Sequence, residues 1–256
     1  MEKLLENKQI LIAGAGGLLG SQLIADSLAQ GAKVIAADIN LEQMKKKLKS
    51  LDVNIERQEL KLACLDVTDE RSVVDIFSKI EELDGAVNTT YPRNKTYGAH
   101  FFDVSLASFN ENLALHLGST FLFSQQSAAY FNKNKKPFSL VNISSIYGVV
   151  APKFEIYQGT NMSTPVEYAA IKSAIIHLNK YVAAYVNDSR FRVNSVSPGG
   201  LFDHQPESFL KAYKKNTHGQ GMLTAKDVIG SILFLLSDQS KYVTGNNLII
   251  DDGFTL

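Results

Sequence analysis

The chain has little cysteine, no excess charge and no long apolar run, and each of these absences excludes a class of protein. The single cysteine, Cys64, excludes an internal disulfide and fits a reducing compartment. The 26 basic and 26 acidic residues cancel, so the composition indicates neither a nucleic-acid nor a membrane partner. No apolar run reaches the roughly eighteen residues of a membrane span, and residues 1–9 lack the apolar segment of a signal peptide. These features predict a cytoplasmic protein, with Cys64 buried and inert in a strand.

Two further absences narrow the chemistry. The five histidines are not spaced as metal ligands and no cysteine cluster accompanies them, so no metal site is predicted. The chain also lacks the Gly-x-Ser-x-Gly turn of a Ser-His-Asp hydrolase and the Gly-Lys-Ser/Thr of a P-loop ATPase. What is present is an ordinary composition, 45% hydrophobic and 20% charged, which fits a single α/β domain over residues 1–256.

Strand-like and helix-like segments alternate along the whole chain. Short β-rich runs are predicted at residues 9–13, 33–38, 59–65, 85–88, 137–144, 191–196 and 247–250. Helices are predicted at residues 21–30, 41–51, 70–82, 104–131 (with a bend), 166–186, 207–214 and 225–236. This alternation predicts a Rossmann-type doubly wound fold, one parallel sheet of about seven strands with helices on both faces. Such sheets bind ligands beyond the carboxyl ends of their strands, so a site is expected at that edge.

A glycine-rich turn, Gly14-Ala15-Gly16-Gly17-Leu18-Leu19-Gly20, follows the first strand and opens the first helix. Glycines there let the backbone approach a pyrophosphate and point N–H groups at it. The spacing does not match Gly-x-Gly-x-x-Gly, because the third glycine would fall on Leu19. The prediction of a dinucleotide site therefore rests more on the position of the turn, between a strand and a helix, than on its glycine spacing.

Two acidic residues end the second and third strands. Asp38 can accept hydrogen bonds from the adenosine ribose diol and would repel a 2′-phosphate, which favours NAD over NADP. Its alternative interpretation is a helix cap or turn residue. Asp66 can meet the adenine amine, and its alternative role is to cap the helix that follows. Both readings stay open on the sequence.

Tyr168 and Lys172 lie four residues apart in the helix predicted at 166–186, so both side chains fall on one face. A cation one turn from a phenol favours the phenolate and lowers its pKa, as a proton-transferring tyrosine requires. A chance pair on an amphipathic helix is the alternative. Ser145 ends the fifth strand, where a hydroxyl can donate to a substrate oxygen, and Ser144 replaces it if the register differs by one.

The order of these motifs resembles the short-chain dehydrogenases/reductases over essentially the whole chain. The glycine-rich turn and acidic strand end are followed by Asn142-x-Ser144-Ser145, Tyr168-x-x-x-Lys172, Asn194-x-x-x-Pro198-Gly199 and an ending with Thr244-Gly245 and Asp252-Gly253. The resemblance implies an oxidoreductase in which Tyr168 is the general acid/base and Ser145 polarises the substrate oxygen. Lys172 would lower the pKa of Tyr168 and hold the nicotinamide ribose. The implied cofactor-binding residues are Gly14, Gly17, Leu19, Gly20, Asp38, Asp66, Val67, Asn88, Lys172, Pro198, Gly199 and Leu201.

The chain departs from the pattern of that family at several positions. Thr89-Thr90-Tyr91 follows Asn88, where the family usually has Asn-Ala-Gly. His116 occupies the position of the asparagine that completes a proton relay, with Asn112 one turn earlier, so His116 is predicted either to relay protons or only to pack. An insertion at about 152–165 separates Ser145 from Tyr168 and is expected beside the substrate.

The loop at 91–100 and the insertion at about 152–165, together with residues 145–148 and 198–203, resemble a narrower group of that family, associated with bacterial flagellin modification and nonulosonic acid biosynthesis. The polar residues predicted to meet a sugar-like, hydroxylated substrate are Arg93, Tyr147, Lys153, Asn161 and Asp203, with solvated loop charges as the alternative. Epimerisation or dehydration through transient oxidation, and a non-catalytic dinucleotide-binding regulator, are the alternative functions. The family resemblance also implies a homo-oligomer, a tetramer or dimer, acting on a small molecule.

Overall fold

The computed structural model describes residues 3–256, and its centre is one parallel sheet of seven strands in the order β3-β2-β1-β4-β5-β6-β7. The strands are β1 (Gln9–Ala13), β2 (Lys33–Asp38), β3 (Leu60–Cys64), β4 (Gly85–Asn88), β5 (Phe138–Ile143), β6 (Phe191–Pro198) and β7 (Asn247–Ile250). The chain order reverses at β1, where Ile10 pairs with Val34 of β2 on one side and Gly85 of β4 on the other. A reversal of this kind opens a crevice at the carboxyl edge. The predicted fold class is confirmed.

Helices cover both faces of the sheet. They are α1 (Leu18–Ala29), α2 (Leu41–Lys49), α3 (Glu70–Lys79), α4 (Leu106–Asn112), α5 (Ser119–Asn134), α6 (Val166–Val186), α7 (Glu207–Lys214) and α8 (Ala225–Leu236). Alternate residues of a strand point to opposite faces. Ile10 and Ile12 therefore pack with α1, α2 and α8, whereas Leu11 and Ala13 pack with α3, α5 and α6. Two apolar cores hold the carboxyl edge of the sheet rigidly between them.

The helix predicted at 104–131 is divided into α4, a π-helical segment at Leu113–Gly118, and α5. The π-helical segment carries His116 into the interior, where its side chain is buried. The His116 carbonyl accepts hydrogen bonds from the hydroxyls of Ser119, at 3.0 Å, and Thr120, at 2.8 Å. Isolated π turns occur most often at functional sites, and this one faces α6 beside Lys172.

The prediction that Cys64 is buried is wrong: its side chain is exposed. The residue ends β3, which is an edge strand with β2 as its neighbour in the sheet. An apolar run in the sequence does not distinguish an edge strand from a central one, because the neighbouring strands come from distant parts of the chain.

Within residues 3–256, no helix is both long and apolar enough to cross a membrane.

Candidate active site

A cavity of about 940 Å³ opens beyond the carboxyl ends of the central strands. The first residues of α1 line one side, and segments that follow β4, β5 and β6 line the floor. The insertion predicted at 152–165 and α7 form the opposite wall. A third apolar cluster holds that wall in place, formed by Ile146, Ile156, Phe209, Tyr213 and Phe254. The predicted position of the insertion, beside the expected site, agrees with this arrangement.

The structure brings most of the predicted site residues together and places others outside the cavity. Those that line it are Gly17, Leu19, Arg93, Ser145, Tyr147, Asn161, Tyr168, Lys172, Pro198, Gly199, Leu201 and Asp203. The predicted residues outside the described lining are Gly14, Gly20, Asp38, Asp66, Val67, Asn88, His116 and Lys153. Several of the residues outside the lining hold the lining segments in place through hydrogen bonds or packing.

The glycine-rich turn folds tightly against the start of α1. Gly14 has a φ of +79°, which favours glycine, and a Cβ on Gly20 would lie 2.2 Å from the Gly14 carbonyl oxygen. α1 begins at Leu18 with no side-chain cap and no acidic residue in its first turn. Unpaired N–H groups at a helix start attract an anion such as a phosphate. The turn and helix therefore fit a dinucleotide pyrophosphate.

Asp38 serves as a turn residue and leaves acceptor capacity free. One carboxylate oxygen accepts from the Gly16 N–H at 2.8 Å, and the other accepts from the Asn40 N–H at 2.9 Å. Asn40, not Asp38, caps α2. Each carboxylate oxygen can accept more than one hydrogen bond, so the observed turn contacts are compatible with a ribose diol at the same carboxylate.

Asp66 does not cap α3, which was its alternative role, because Asp69 is the cap. One oxygen of Asp66 accepts from the backbone N–H of Thr68 at 2.9 Å and from its hydroxyl at 2.6 Å. Val67 is buried in the core between the sheet and α3. The observed contacts of Asp66 and Val67 are therefore those of a local turn, which holds the end of β3 in place.

Lys172 and Tyr168 face the cavity from the first turns of α6. The Lys172 ammonium donates to the Ile143 carbonyl at 2.8 Å and lies 3.4 Å from Nε2 of His116. It lies 5.6 Å from the centre of the Tyr168 ring. The Ser144 hydroxyl donates to the Lys172 carbonyl at 2.7 Å, so it is committed to holding α6. Ser145 is the serine whose hydroxyl hydrogen remains available to a substrate.

The expectation that Lys172 lowers the pKa of Tyr168 is not met in this structure. Burial raises the pKa of the Tyr168 phenol, while the neighbouring Ser145 hydroxyl acts in the opposite direction. Burial also lowers the pKa of Lys172 to about 7, and the Lys172 ammonium donates to the Ile143 carbonyl at 2.8 Å. Burial, followed by repulsion from Lys172, also lowers the pKa of His116 to about 2, so this imidazole is neutral at physiological pH.

Replacing Lys172 by methionine is expected to stabilise the protein most below pH 7. Below that pH the folded and unfolded states both carry the lysine proton, and the native state bears the full cost of burying the charge. Between pH 7 and about 10.5 the native lysine is neutral while the unfolded one still binds a proton, so the wild type regains stability as pH rises. Urea unfolding at several pH values measures this, with exposed Lys133→Met as the control. A Lys172→Met gain that does not shrink above pH 7 would contradict the buried-charge explanation.

Two residues in or beside the site, Tyr91 and Glu167, were not among the predicted site residues. The Tyr91 ring packs edge-to-face on Tyr168 and His116, with ring centres 5.7 Å and 5.2 Å away. Glu167 is fully buried, and its Oε2 has no hydrogen-bond partner within residues 3–256. Its other oxygen accepts from Asn112 at 3.4 Å. Tyr91 could have been recognised because it interrupts a glycine position, whereas Glu167 resembles any acidic residue in the first turn of a helix.

Phenol hydroxyls form a neutral network on the opposite wall of the cavity. The Thr164 hydroxyl donates to the Tyr157 hydroxyl at 2.6 Å, which in turn donates to the Tyr147 hydroxyl at 3.0 Å. Burial raises the pKa of Tyr147, so this residue stays neutral. A wall of neutral hydroxyls and aromatic faces suits a hydroxylated ring.

Lys153 anchors the insertion and does not line the cavity. Its ammonium donates to the Phe254 carbonyl at 3.3 Å and lies 4.6 Å from the centre of the Phe254 ring. The prediction that Lys153 meets the substrate is therefore replaced by a contact between the insertion and the C-terminal segment. The sequence could not show this contact because about one hundred residues separate its two partners.

Comparison with known proteins agrees with this geometry. A family model described as Enoyl-(Acyl carrier protein) reductase matches residues 19–255. A Campylobacter coli protein described as post-translational flagellin modification protein A is 39% identical, over 99% of this chain and all of that one. A 7alpha-hydroxysteroid dehydrogenase of Bacteroides fragilis is 25% identical over 98% of this chain and 95% of the relative. The crystal structure of a Leptospira borgpetersenii short chain dehydrogenase with bound NAD+ is 32% identical, covers 100% of this chain and 95% of its own, and has a TM-score of 0.87.

A parallel sheet with a glycine-rich turn at its reversal point, and with serine, tyrosine and lysine at one cavity, defines an oxidoreductase of the Rossmann type. The matches over nearly the whole chain specify the class further. The protein belongs to the short-chain dehydrogenase/reductase family.

Proposed function

We propose that this enzyme transfers a hydride between NAD(H) and the hydroxyl or keto carbon of a polar, sugar-like substrate. One observation carries the proposal: the cavity that Tyr168, Ser145 and Lys172 face is also lined by the start of α1. An acid/base group and a dinucleotide cradle therefore share one space. The bound NAD of the Leptospira structure supports the choice of cofactor. The flagellin-modification description of the Campylobacter relative supports a sugar-like substrate.

The proposed mechanism assigns a role to each side chain. The start of α1 and Lys172 would hold NAD(H), which would supply the hydride acceptor or donor for the substrate carbon. The Ser145 hydroxyl donates a hydrogen bond to the substrate oxygen, and the Tyr168 phenol exchanges a proton with that oxygen. Lys172 is assigned to hold the nicotinamide ribose and to exchange protons with Tyr168. Neutral His116 fixes the Lys172 ammonium from the side away from the cavity.

Residues that the sequence assigned to the cofactor fit the same proposal. Pro198, Gly199 and Leu201 line the cavity at the end of β6, where the nicotinamide is proposed to bind. Asn88 is buried at the end of β4, where its side-chain oxygen accepts from the Thr90 N–H at 3.1 Å. It therefore shapes the turn that carries Tyr91 into the site. We assign Asn88 to supporting that turn and Gly14 and Gly20 to shaping the pyrophosphate cradle.

The experiment that tests the proposal has two stages. NADH binding is measured by fluorescence titration, and turnover is then followed at the NADH absorbance band with a panel of keto and hydroxy sugars, free and nucleotide-linked. Oxidation or reduction of a panel member supports the proposal. Failure to bind NADH would contradict it, and turnover only of apolar alcohols would contradict the substrate class.

Asp38→Asn is expected to weaken NADH binding about 10- to 100-fold and to narrow the preference for NADH over NADPH. The carboxylate is proposed to accept from the ribose diol, and a hydrogen bond to a charged group contributes about 1.5–3 kcal/mol. Paired titrations with NADH and NADPH measure both effects. Asp84→Asn is the matched control, because Asp84 also accepts from a backbone N–H, that of Gln9 at 2.8 Å, but at the opposite edge of the sheet. If the wild type bound NADPH as tightly as NADH, the role given to Asp38 would be wrong.

We also propose that residues 1–256 act as one cytoplasmic domain in a homo-oligomer, a dimer or tetramer. Aromatic side chains on the outer faces of α5 and α6 support this proposal. Phe121, Tyr181 and Tyr185 are 50%, 62% and 77% exposed, and exposed aromatic residues on neighbouring helices are typical of subunit contacts. Light scattering measures the assembly state, and a monomer at micromolar concentration would contradict the proposal.

A further inference from the structure

Arg93 lies close to the reacting end of the cavity. Its guanidinium carbon is 4.8 Å from the centre of the Tyr91 ring, and that ring is 5.7 Å from the Tyr168 ring. The guanidinium therefore lies no more than about 10.5 Å from the centre of the Tyr168 ring, since the two distances share the Tyr91 ring. One sugar ring with an acidic substituent can bridge this separation.

Among residues 3–256, no side chain or carbonyl accepts a hydrogen bond from the Arg93 guanidinium. A guanidinium stacked on an aromatic face keeps its N–H donors in its own plane. Within residues 3–256, no ion pair involves Arg93. The other charged side chains of the described lining are Lys172, whose ammonium donates to the Ile143 carbonyl, and Asp203. Arg93 can therefore bind an anion without giving up a hydrogen bond, whereas Lys172 would have to give up its bond to the Ile143 carbonyl.

The ring beneath Arg93 is held in place and stays neutral. The Tyr91 hydroxyl donates to the Tyr97 hydroxyl at 2.6 Å. Burial raises the pKa of both phenols. The platform therefore carries no negative charge that would compete for the guanidinium.

The loop that carries Arg93 is tied to α4 by the next residue. The Asn94 N–H donates to the Asn112 side-chain oxygen at 3.0 Å, and the Asn94 amide donates to Glu111 at 2.7 Å. The Asn112 amide returns a bond to Asn94 at 3.1 Å. This anchoring lowers the ordering cost of binding at Arg93, because the backbone is already held.

From these observations we infer that Arg93 is an anion-binding subsite and that the substrate carries an oxyanion. The anion is a carboxylate or a phosphate, no farther from the reacting carbon than about one sugar ring. Both groups offer the paired oxygens that a guanidinium binds with two parallel hydrogen bonds. The inference rests on the proposed function, because it assumes that the substrate carbon reacts at Tyr168.

The test measures binding of four probes to the full chain saturated with NADH, by isothermal titration calorimetry. The probes are glucuronate, glucose 6-phosphate, glucose and inorganic phosphate. The variants are Arg93→Gln and the matched control Lys95→Gln. Both residues are exposed cations of the same loop, but Lys95 is not part of the cavity lining. Thermal unfolding of each variant checks that the fold is retained.

We expect glucuronate or glucose 6-phosphate to bind the wild type more tightly than glucose. Arg93→Gln should lower the affinity for the more tightly bound anionic sugar about 10- to 100-fold, the size expected for a charge-assisted pair of hydrogen bonds. The affinity of Arg93→Gln for glucose should stay within about 2-fold of the wild-type value. Lys95→Gln should change the affinity for every probe by a similarly small factor. Whichever anionic sugar shows the larger loss identifies the anion as a carboxylate or a phosphate. Binding of inorganic phosphate alone, without either anionic sugar, would mean an isolated anion site and would overturn the inference.

Three other results would also overturn it: equal binding of glucose and the anionic sugars, an equal loss in both variants, or no measurable binding of either anionic sugar. NADH titration of the same samples separates these failures from failure of the proposed function. If the protein binds NADH but binds charged and uncharged sugars equally, only the inference about Arg93 is contradicted. A protein that does not bind NADH contradicts the proposed function itself.

Discussion

Tyr168→Phe is expected to lower turnover about 10²- to 10⁴-fold, the usual contribution of a positioned general acid or base. NADH affinity should change by less than about 3-fold, because the phenyl ring keeps the edge-to-face contact with Tyr91 and only the hydroxyl is lost. The first sugar that the wild type oxidises or reduces serves as the substrate for this measurement. The loss should appear in kcat, since proton exchange with the substrate oxygen belongs to the chemical step.

The matched control for that substitution is Tyr130→Phe. Tyr130 is also buried, and its hydroxyl donates to the Glu81 carbonyl at 3.0 Å, away from the cavity. Its removal should cost about 0.5–1.5 kcal/mol of stability and leave turnover unchanged. If Tyr168→Phe kept wild-type turnover, Tyr168 would not be the acid/base, and the catalytic assignment would have to move to another group of the cavity.

Gly20→Ala is expected to lower the free energy of unfolding by about 1–3 kcal/mol or more. The added Cβ would lie 2.2 Å from the Gly14 carbonyl oxygen and 2.9 Å from the Thr89 hydroxyl. The nearer atom belongs to the backbone, so relief requires the glycine-rich turn itself to move. Since this turn is proposed to hold the pyrophosphate, and a lost hydrogen bond to a charged group costs about 1.5–3 kcal/mol, NADH affinity should fall about 10-fold or more. Urea unfolding and NADH titration measure the two effects.

Gly230→Ala is the control, because a Cβ at Gly230 in α8 would meet nothing within 4 Å. Alanine is a better helix former, so this variant should be more stable by about 0.5–1 kcal/mol and bind NADH normally. A Gly20→Ala protein as stable as the wild type, with unchanged NADH affinity, would show that the turn is not packed as described.

The fold could be predicted because its signals are local. Apolar runs separated by helical periodicity specify strands and crossover helices within a few residues, and alternation of the two leaves a parallel sheet as the compact arrangement. Gln9–Ala13, Lys33–Asp38, Gly85–Asn88 and Asn247–Ile250 are strands at the predicted boundaries. The other three predicted strands overlap the observed ones. The helix predicted at 104–131 is divided in the structure by the π-helical segment.

The chain order of the motifs also placed Ser145, Tyr168 and Lys172 in one cavity. Residues at the carboxyl ends of neighbouring parallel strands, and in the first turns of the helices that follow, must meet at the same edge of the sheet. Their juxtaposition therefore follows from secondary structure and topology, both of which the sequence determines through periodicity.

Only the tertiary structure decided burial, charge state and the partners of the long side chains. Burial raises the pKa of Tyr168 and lowers that of Lys172, whereas the sequence suggested that the lysine would lower the pKa of the tyrosine. Lys153 contacts the C-terminal segment, and Cys64 is exposed at the end of an edge strand. Desolvation and contact depend on groups brought together from distant parts of the chain, and local periodicity does not encode which groups those are. The sequence by itself thus determined where the predicted catalytic side chains meet, and the tertiary packing shifted their pKa values and placed the Arg93 guanidinium over the Tyr91 ring beside them.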